Sequence, residues 1–295
     1  MKVEGAEQEM TPAPGHPRVL DLYHYRNSVC SEKVRMVLFE KRLDWASHEV
    51  DIFRGENYRP EYLRLNPKAV VPTLVHDGEV LRESSLICEY LDDVFPEPPL
   101  KPASPAARAR MRIWTKACDE SLHHSTTALS FATAFRDVLA EMPEAERAAR
   151  FGRLVDLERR DRQRTTYELG TDAPHVTFAV AAFERFFADL EAVFADGRPW
   201  LLGDRYTLAE VNIAPYLARL ELMDLLGVWA DERPATTAWW ARVTARPGYG
   251  ECIATLPEHE RARMQAAGGR ARPALAERRL AYRRDVAAAR SLAAP

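Results

Sequence analysis

Long apolar runs are missing from this sequence, cysteines are few, and neither sign of charge dominates. No uninterrupted apolar stretch approaches the roughly 20 residues needed to cross a bilayer, so no membrane span is expected. The four cysteines, Cys30, Cys88, Cys118 and Cys252, are scattered, with no C-x-x-C or similar spacing. That pattern gives no reason to expect a metal site or a disulfide framework. The net charge of −3 creates no field toward nucleic acid or anionic lipid, so neither is an expected partner. Residues 1–17 are polar and partly acidic, without the basic start and apolar core of a secretory signal. They read as a flexible extension, and the cytoplasm is the expected location. No internal repeat is visible.

What is present is an ordinary globular mix, 46% hydrophobic and 29% charged over 295 residues, enough for two domains. Val19 to Tyr25 alternates like a strand, and from Ser31 the pattern becomes helical, with Val34, Val37 and Leu38 on one face and Glu32, Lys33, Arg35 and Lys41 elsewhere. Trp45 to Asp51 reads as a second strand and Tyr58 to Leu65 as a short helix ended by Asn66-Pro67. Two apolar runs then flank Asp77-Gly78, a hairpin signal, and a helix from Ser84 to Val94 follows. The order strand, helix, strand, helix, strand, strand, helix predicts a thioredoxin-like α/β domain over residues 18–95.

Five prolines between Phe95 and Pro105 rule out a continuing helix or a central strand, so residues 96–105 read as a linker. Beyond it no strand pattern appears, and residues 106–256 are expected to form an all-helical domain. Ala106 to Leu139 reads as one long helical stretch, and the highly charged Glu144 to Leu169 as an exposed helical one. Residues 257–295 carry nine Arg and four acids and read as a solvated helical or mobile tail.

Three short pieces suggest chemistry. Ser28, Cys30 and Ser31 lie at the start of a helix, where backbone N–H groups and the helix dipole favour an anion and thiols ionise more easily. Capping is the commoner role for a lone Ser28. Val71-Pro72 opens a strand; a cis bond there turns the Val71 backbone outward, where it can pair with a peptide. Glu83-Ser84 begins another helix and suits an α-amino-acid group, with the acid facing the ammonium and the helix start facing the carboxylate.

Taken together, LYHYRNSVCSEKVRMVLFEKRLDW, LNPKAVVPTLVHDGEVLRESSLICEYLDDVFPE and GDRYTLAEVNIAPYLARL resemble the glutathione transferase family, across both expected domains. The resemblance implies glutathione as co-substrate, with Val71 and Pro72 holding its cysteinyl backbone and Glu83 and Ser84 its γ-glutamyl end. It implies Ser28 as the leading activator of the thiol, with Cys30 and Ser31 as alternatives. It also implies a homodimer and a small-molecule electrophile. VHDGEVLRESSLICEYLDDVFPE with LKPASPAARARMRIWTKACDE is most similar to bacterial β-etherases, which implies cleavage of an aryl ether or conjugation of an aromatic compound. By the same resemblance the electrophile would sit against the first long helix of the helical domain, where Trp114, His123 and Phe131 are candidate pocket residues. Thr207-Leu208-Ala209-Glu210 resembles the family's capping box, with Tyr206 and Val211 as its staple. Two other readings stay open: a non-catalytic interaction module, and a thiol reductase working through Cys30.

Overall fold

The computed structural model describes residues 20–253 and 255–292. The expected extension over residues 1–17, the start of the first strand at Val19 and the last three residues of the tail lie outside them.

Four strands form one sheet in the order β2-β1-β3-β4: β1 (Leu20–His24), β2 (Ala46–Glu49), β3 (Thr73–His76) and β4 (Glu79–Arg82). β1 runs parallel to β2 and antiparallel to β3, and β3 and β4 form a hairpin. Asp77 and Gly78 both take positive φ, at 50° and 90°, the conformation a two-residue hairpin loop requires. α1 (Val29–Glu40) crosses between β1 and β2, α2 (Pro60–Leu65) precedes β3, and α3 (Ser84–Val94) closes the unit. Leu22 and Leu74 pair across the sheet and are wholly buried, together with Val34, Val37 and Leu38 of α1 and Ile87 and Leu91 of α3.

The charged side of α1 departs from expectation. Glu32, Lys33, Arg35 and Lys41 are all buried. α1 is covered on its second side by later helices, so each charge needs a partner inside the protein. Lys41 Nζ lies 2.6 Å from Asp92 Oδ1 and donates to the carbonyls of Phe95 (2.6 Å) and Pro98 (3.0 Å), which ties the Pro-rich segment to α1. Arg35 Nη2 donates to the Cys252 carbonyl at 2.7 Å.

From Pro105 onward the chain is helical. The expected single stretch from Ala106 to Leu139 is three helices, α4 (Pro105–Ala117), α5 (His123–Ala132) and α6 (Ala134–Ala140), with a π-helical turn at Cys118–Leu122 between the first two. α7 (Glu144–Gly152) and α8 (Leu157–Leu169) follow, and they are not simply exposed: Phe151, Leu154, Gln163 and Thr166 are buried. α9 (Pro174–Phe194) and α10 (Leu208–Leu222) form the centre, where Trp229 packs 5.2 Å from Phe183 and stacks at 6.2 Å on Phe187. The capping box is present at the start of α10; the Thr207 N–H donates to Glu210 Oε2 at 2.8 Å, and Glu210 Oε1 also accepts from the Leu201 N–H at 2.6 Å. α11 (Gly227–Ala230), α12 (Pro234–Thr244) and α13 (Pro247–Cys252) complete this layer.

The basic tail is a 35-residue helix, α14 (Glu258–Leu292), that docks on the helical layer. Met264, Ala267, Gly268, Leu275 and Arg279 are buried. Its arginines find acids on the surface beneath: Arg279 lies 2.6 Å from Glu184, Arg278 2.6 Å from Asp172 and Arg263 2.8 Å from Glu141. The far end of the helix is solvated as expected, with residues 283–285 and 287–292 exposed.

Candidate active site

The turn after β1 sets the start of α1. The Ser28 N–H donates to the Tyr25 carbonyl at 3.1 Å, and the Ser28 hydroxyl accepts from the Ser31 N–H at 3.3 Å. Ser28 is therefore the N-cap of α1, and its hydroxyl keeps one proton to donate. Ser31 is wholly buried and its hydroxyl accepts from the Tyr25 N–H at 3.3 Å, so this side chain fastens the turn from inside. Cys30 stays partly exposed.

Cys30 Sγ lies 3.5 Å from His123 Nδ1. Burial alone pushes this thiol up, but the charge and hydrogen bond of His123, the Lys33 ammonium and the Ser84 hydroxyl outweigh it and bring it down to about 6. The other three thiols behave oppositely: burial pushes Cys88, Cys118 and Cys252 up to about 12. Cys30 is thus the one cysteine among them set to be a thiolate near neutrality.

Lys33 sits under this thiol on the next turn of α1. It is wholly buried, with Nζ 3.0 Å from Asp119 Oδ1, 3.3 Å from Ser85 Oγ and 5.0 Å from the centre of the Tyr216 ring. Ser85 Oγ is 2.9 Å from Asp119 Oδ1 and 3.0 Å from Asn212 Oδ1. This network joins α1, α3, the π turn and α10. Burial pulls the Lys33 ammonium down, but Tyr216, Cys30, Cys118 and Asp119 outweigh it and hold it well above the usual range, so it stays charged.

Of the pieces expected to bind a peptide, Ser84 reaches the same helix start. The Val71–Pro72 bond is cis. Val71 is 8% exposed, next to Tyr62, whose hydroxyl donates to the Val70 carbonyl at 2.5 Å. Glu83 is exposed, with a positive φ of 68°, and its carboxylate meets Lys68 Nζ at 2.6 Å. Ser84 opens α3 and is buried toward Cys30.

The expected pocket residues separate. His123 turns to Cys30. Phe131 packs 5.3 Å from Phe135, which lies edge-on at 5.0 Å from Phe53, and Phe53 lies 6.1 Å from Tyr25. These rings form an aromatic wall from the end of β1 to α6. Trp114 instead packs edge-on against Phe186 at 5.8 Å, within the helical core. Sequence reasoning passed over Lys33, Asp119 and Phe53, and gave His123 no contact with Cys30. The His123–His124 rings are 6.0 Å apart, and no group of three or more His, Cys, Asp or Glu disposed to hold a metal exists among the described residues.

A thioredoxin-like sheet with a cis-Pro strand start, an ionisable thiol at the first helix and an all-helical layer beyond define the class. Residues 27–94 match the family model "Glutathione S-transferase, N-terminal domain" and residues 133–242 match "Glutathione S-transferase, C-terminal domain". The chain belongs to the glutathione S-transferase family, whose co-substrate is glutathione. Among its relatives is the protein LigF of Sphingobium sp. strain SYK-6, 30% identical over 244 residues, 79% of this chain and 92% of that protein. The tetrachloro-p-hydroquinone reductive dehalogenase of Sphingobium chlorophenolicum is 30% identical over 237 residues, 78% of this chain and 94% of that one. The crystal structure of the β-etherase LigF superposes with a TM-score of 0.72 at 29% identity, covering 80% of this chain and 99% of that chain. No described helix is long and apolar enough to cross a membrane.

Proposed function

We propose that this protein binds glutathione along Val71, Pro72, Glu83 and Ser84 and directs its sulfur, as a thiolate, at a small aromatic electrophile. The observation that carries this is the Ser28 hydroxyl at the start of α1, which accepts from the Ser31 N–H and keeps its own proton to donate to a bound sulfur. The helix dipole, the Lys33 charge and the hydroxyls of Ser28 and Ser84 favour a negative sulfur there. The aromatic wall of Tyr25, Phe53 and Phe135 supplies a stacking surface on the helical side. For an aryl ether, the glutathione sulfur bonds to the carbon carrying the aryloxy group, the C–O bond breaks, and the aryloxide leaves with the electron pair. The similarity to a β-etherase over four-fifths of the chain supports this substrate class.

The depressed Cys30 thiol favours a second reading. A Cys30 thiolate that attacks the sulfur of a glutathione thioether forms a Cys30–glutathione disulfide and releases the carbon fragment with its electron pair, to be protonated. A second glutathione then reduces the disulfide. The relatives named as reductive dehalogenases fit this reading. Cys30→Ser and Ser28→Ala separate the two. Under the first, Ser28→Ala lowers turnover of an aryl ether more than Cys30→Ser does. Under the second, Cys30→Ser abolishes turnover, and a glutathione adduct on Cys30 appears by mass spectrometry. Failure of glutathione to bind in calorimetry would sink both and leave the interaction module.

We further place the protein in the cytoplasm as a homodimer. Leu86 of α3 and Ile113 of α4 are 64% and 66% exposed, large apolar side chains of the kind a second copy covers. Light scattering at a single chain's mass would contradict this.

A further inference from the structure

Three arginines turn inward from α7 and α8 without counter-charges. The Arg150 guanidinium lies 4.7 Å from the centre of the Phe53 ring and Nη1 donates to the Ile52 carbonyl at 2.9 Å, yet its Nε is buried with no partner. Arg162 Nε is also buried with no partner. Arg159 spends its backbone N–H on the Asp156 cap at 3.0 Å, and the residue is partly buried. No carboxylate of the described residues stands within 4.0 Å of any of the three. Asp51, Asp156 and Glu158 act on them only at longer range, and Asp161 is taken by His175 at 2.9 Å. Arg233 and Arg279, both buried, share Glu184 at 2.7 and 2.6 Å, and buried Arg219 donates to the Asn27 carbonyl at 3.1 Å.

Cations held partly out of water without a counter-charge are costly, and all three guanidinium groups are partly buried. Burial pulls all three guanidinium groups down, Arg150 to about 10 with the charge of Arg159 adding to it. α8, which carries Arg159 and Arg162, packs on α5, the helix that begins at His123, and the charge of Arg159 is felt at Cys30 and Tyr58. A guanidinium with open N–H donors is suited to a carboxylate or phenolate oxygen.

We propose that Arg150, Arg159 and Arg162 form an anion-binding subsite between the aromatic wall and the Cys30–His123 pair, selecting aromatic electrophiles that carry a carboxylate or phenolate. The assignment rests on the proposed function for the electrophile's position, while the arginine geometry stands by itself. An alternative source of the same chemistry is the glycyl carboxylate of glutathione.

The test compares 4-(chloromethyl)benzoate with 4-methylbenzyl chloride. In both, the glutathione sulfur bonds to the benzylic carbon as the C–Cl bond breaks and chloride leaves with the pair. A charge-assisted contact implies a kcat/KM about 10- to 100-fold higher for the carboxylate, after correction for the uncatalysed rates. Arg162→Gln and Arg159→Gln should shrink that ratio about tenfold or more, and Arg162→Lys should restore part of it. A ratio near one in the wild type, or equal losses for both electrophiles, overturns the proposal. Glutathione glycyl ethyl ester with the neutral electrophile reads the other source: a wild-type penalty for the ester that vanishes in the glutamine variants reassigns the subsite to glutathione. If neither chloride turns over, the proposed function fails. Benzoate binding by calorimetry then still decides the subsite: binding weakened about tenfold or more in Arg162→Gln supports it, and no binding to the wild type refutes it.

Discussion

Replacing His123 by Gln should convert Cys30 from the most reactive thiol in acid to an ordinary one. The Sγ–Nδ1 separation of 3.5 Å gives an attraction of about 5 kcal/mol at an effective dielectric constant of about 20. The fall from 9.0 to about 6 corresponds to about 4 kcal/mol in favour of the thiolate, after burial has acted against it. With the imidazole gone, burial is opposed only by Lys33 and Ser84, and the thiol should return to at least its ordinary value. Alkylation by iodoacetamide reads this directly, but the working pH decides whether the effect is visible. At pH 5.5 roughly a quarter of a thiol titrating at about 6 is ionised, against roughly 0.03% at 9.0. A less basic thiolate is intrinsically slower, by about 20-fold over this range, so about a 30-fold advantage remains. At pH 7 the same reasoning leaves only about 4-fold, so the acid side is the informative one. Cys88, Cys118 and Cys252, pushed up to about 12, should stay unlabelled, so mass spectrometry should find one site in the wild type. A rate profile inflecting near 9, or one that His123→Gln leaves in place, would refute the thiolate–imidazole pair.

Two stability predictions follow from the same structure. The Cys30 thiol is lowered in the fold, so the native state sheds its proton earlier than the unfolded chain does. The stability advantage of the wild type over Cys30→Ser should therefore be fully present above about pH 9, shrink as pH falls through about 6, and be legible in urea midpoints across that window. Gly268→Ala in α14 should destabilise although alanine favours helices by about 1 kcal/mol, because a Cβ there meets the Met223 carbonyl oxygen at 1.8 Å. A thermal midpoint that rises in that variant would show that α14 does not press so closely on the chain after α10.

Much of the sheet domain was legible because its signals are local. Asp77-Gly78 sits where a two-residue loop needs two positive φ values, and α3 runs from Ser84 to Val94 because its apolar period and the Pro that follows set both ends. Thr207 and Glu210 act within one helical turn, so their spacing alone carries the capping box. The charges of α1 were not legible in the same way. A helix reads as amphipathic from its own residues, and nothing nearby reveals that α10 and α13 will cover its polar side. Lys33 and Arg35 become interior groups only because Asp119 and the Cys252 carbonyl arrive from 86 and 217 residues away.

The same separation governs the chemistry. Ser28 leads on a one-dimensional helix start with Cys30 and Ser31 as alternatives, and three dimensions separate them by what each faces. Ser31 turns into the β1–α1 turn, Ser28 spends its oxygen on the cap, and Cys30 meets a histidine 93 residues later. That meeting depends on the π turn at Cys118–Leu122. One residue more per turn there rotates everything after it by about 100° relative to a continuous helix. A continuous α-helical count gives His123 a different direction. The charged run from Glu144 to Leu169 misleads for a related reason: a run of charge normally marks a solvated face, and only the fold shows that Arg150 reaches back to Ile52 and Phe53. Motif spacing therefore carries the part of the site proposed to hold a peptide backbone, since backbone recognition is built from strand and helix ends. The part proposed to meet the electrophile is built from side chains brought together by helix offsets, and those offsets are set by packing.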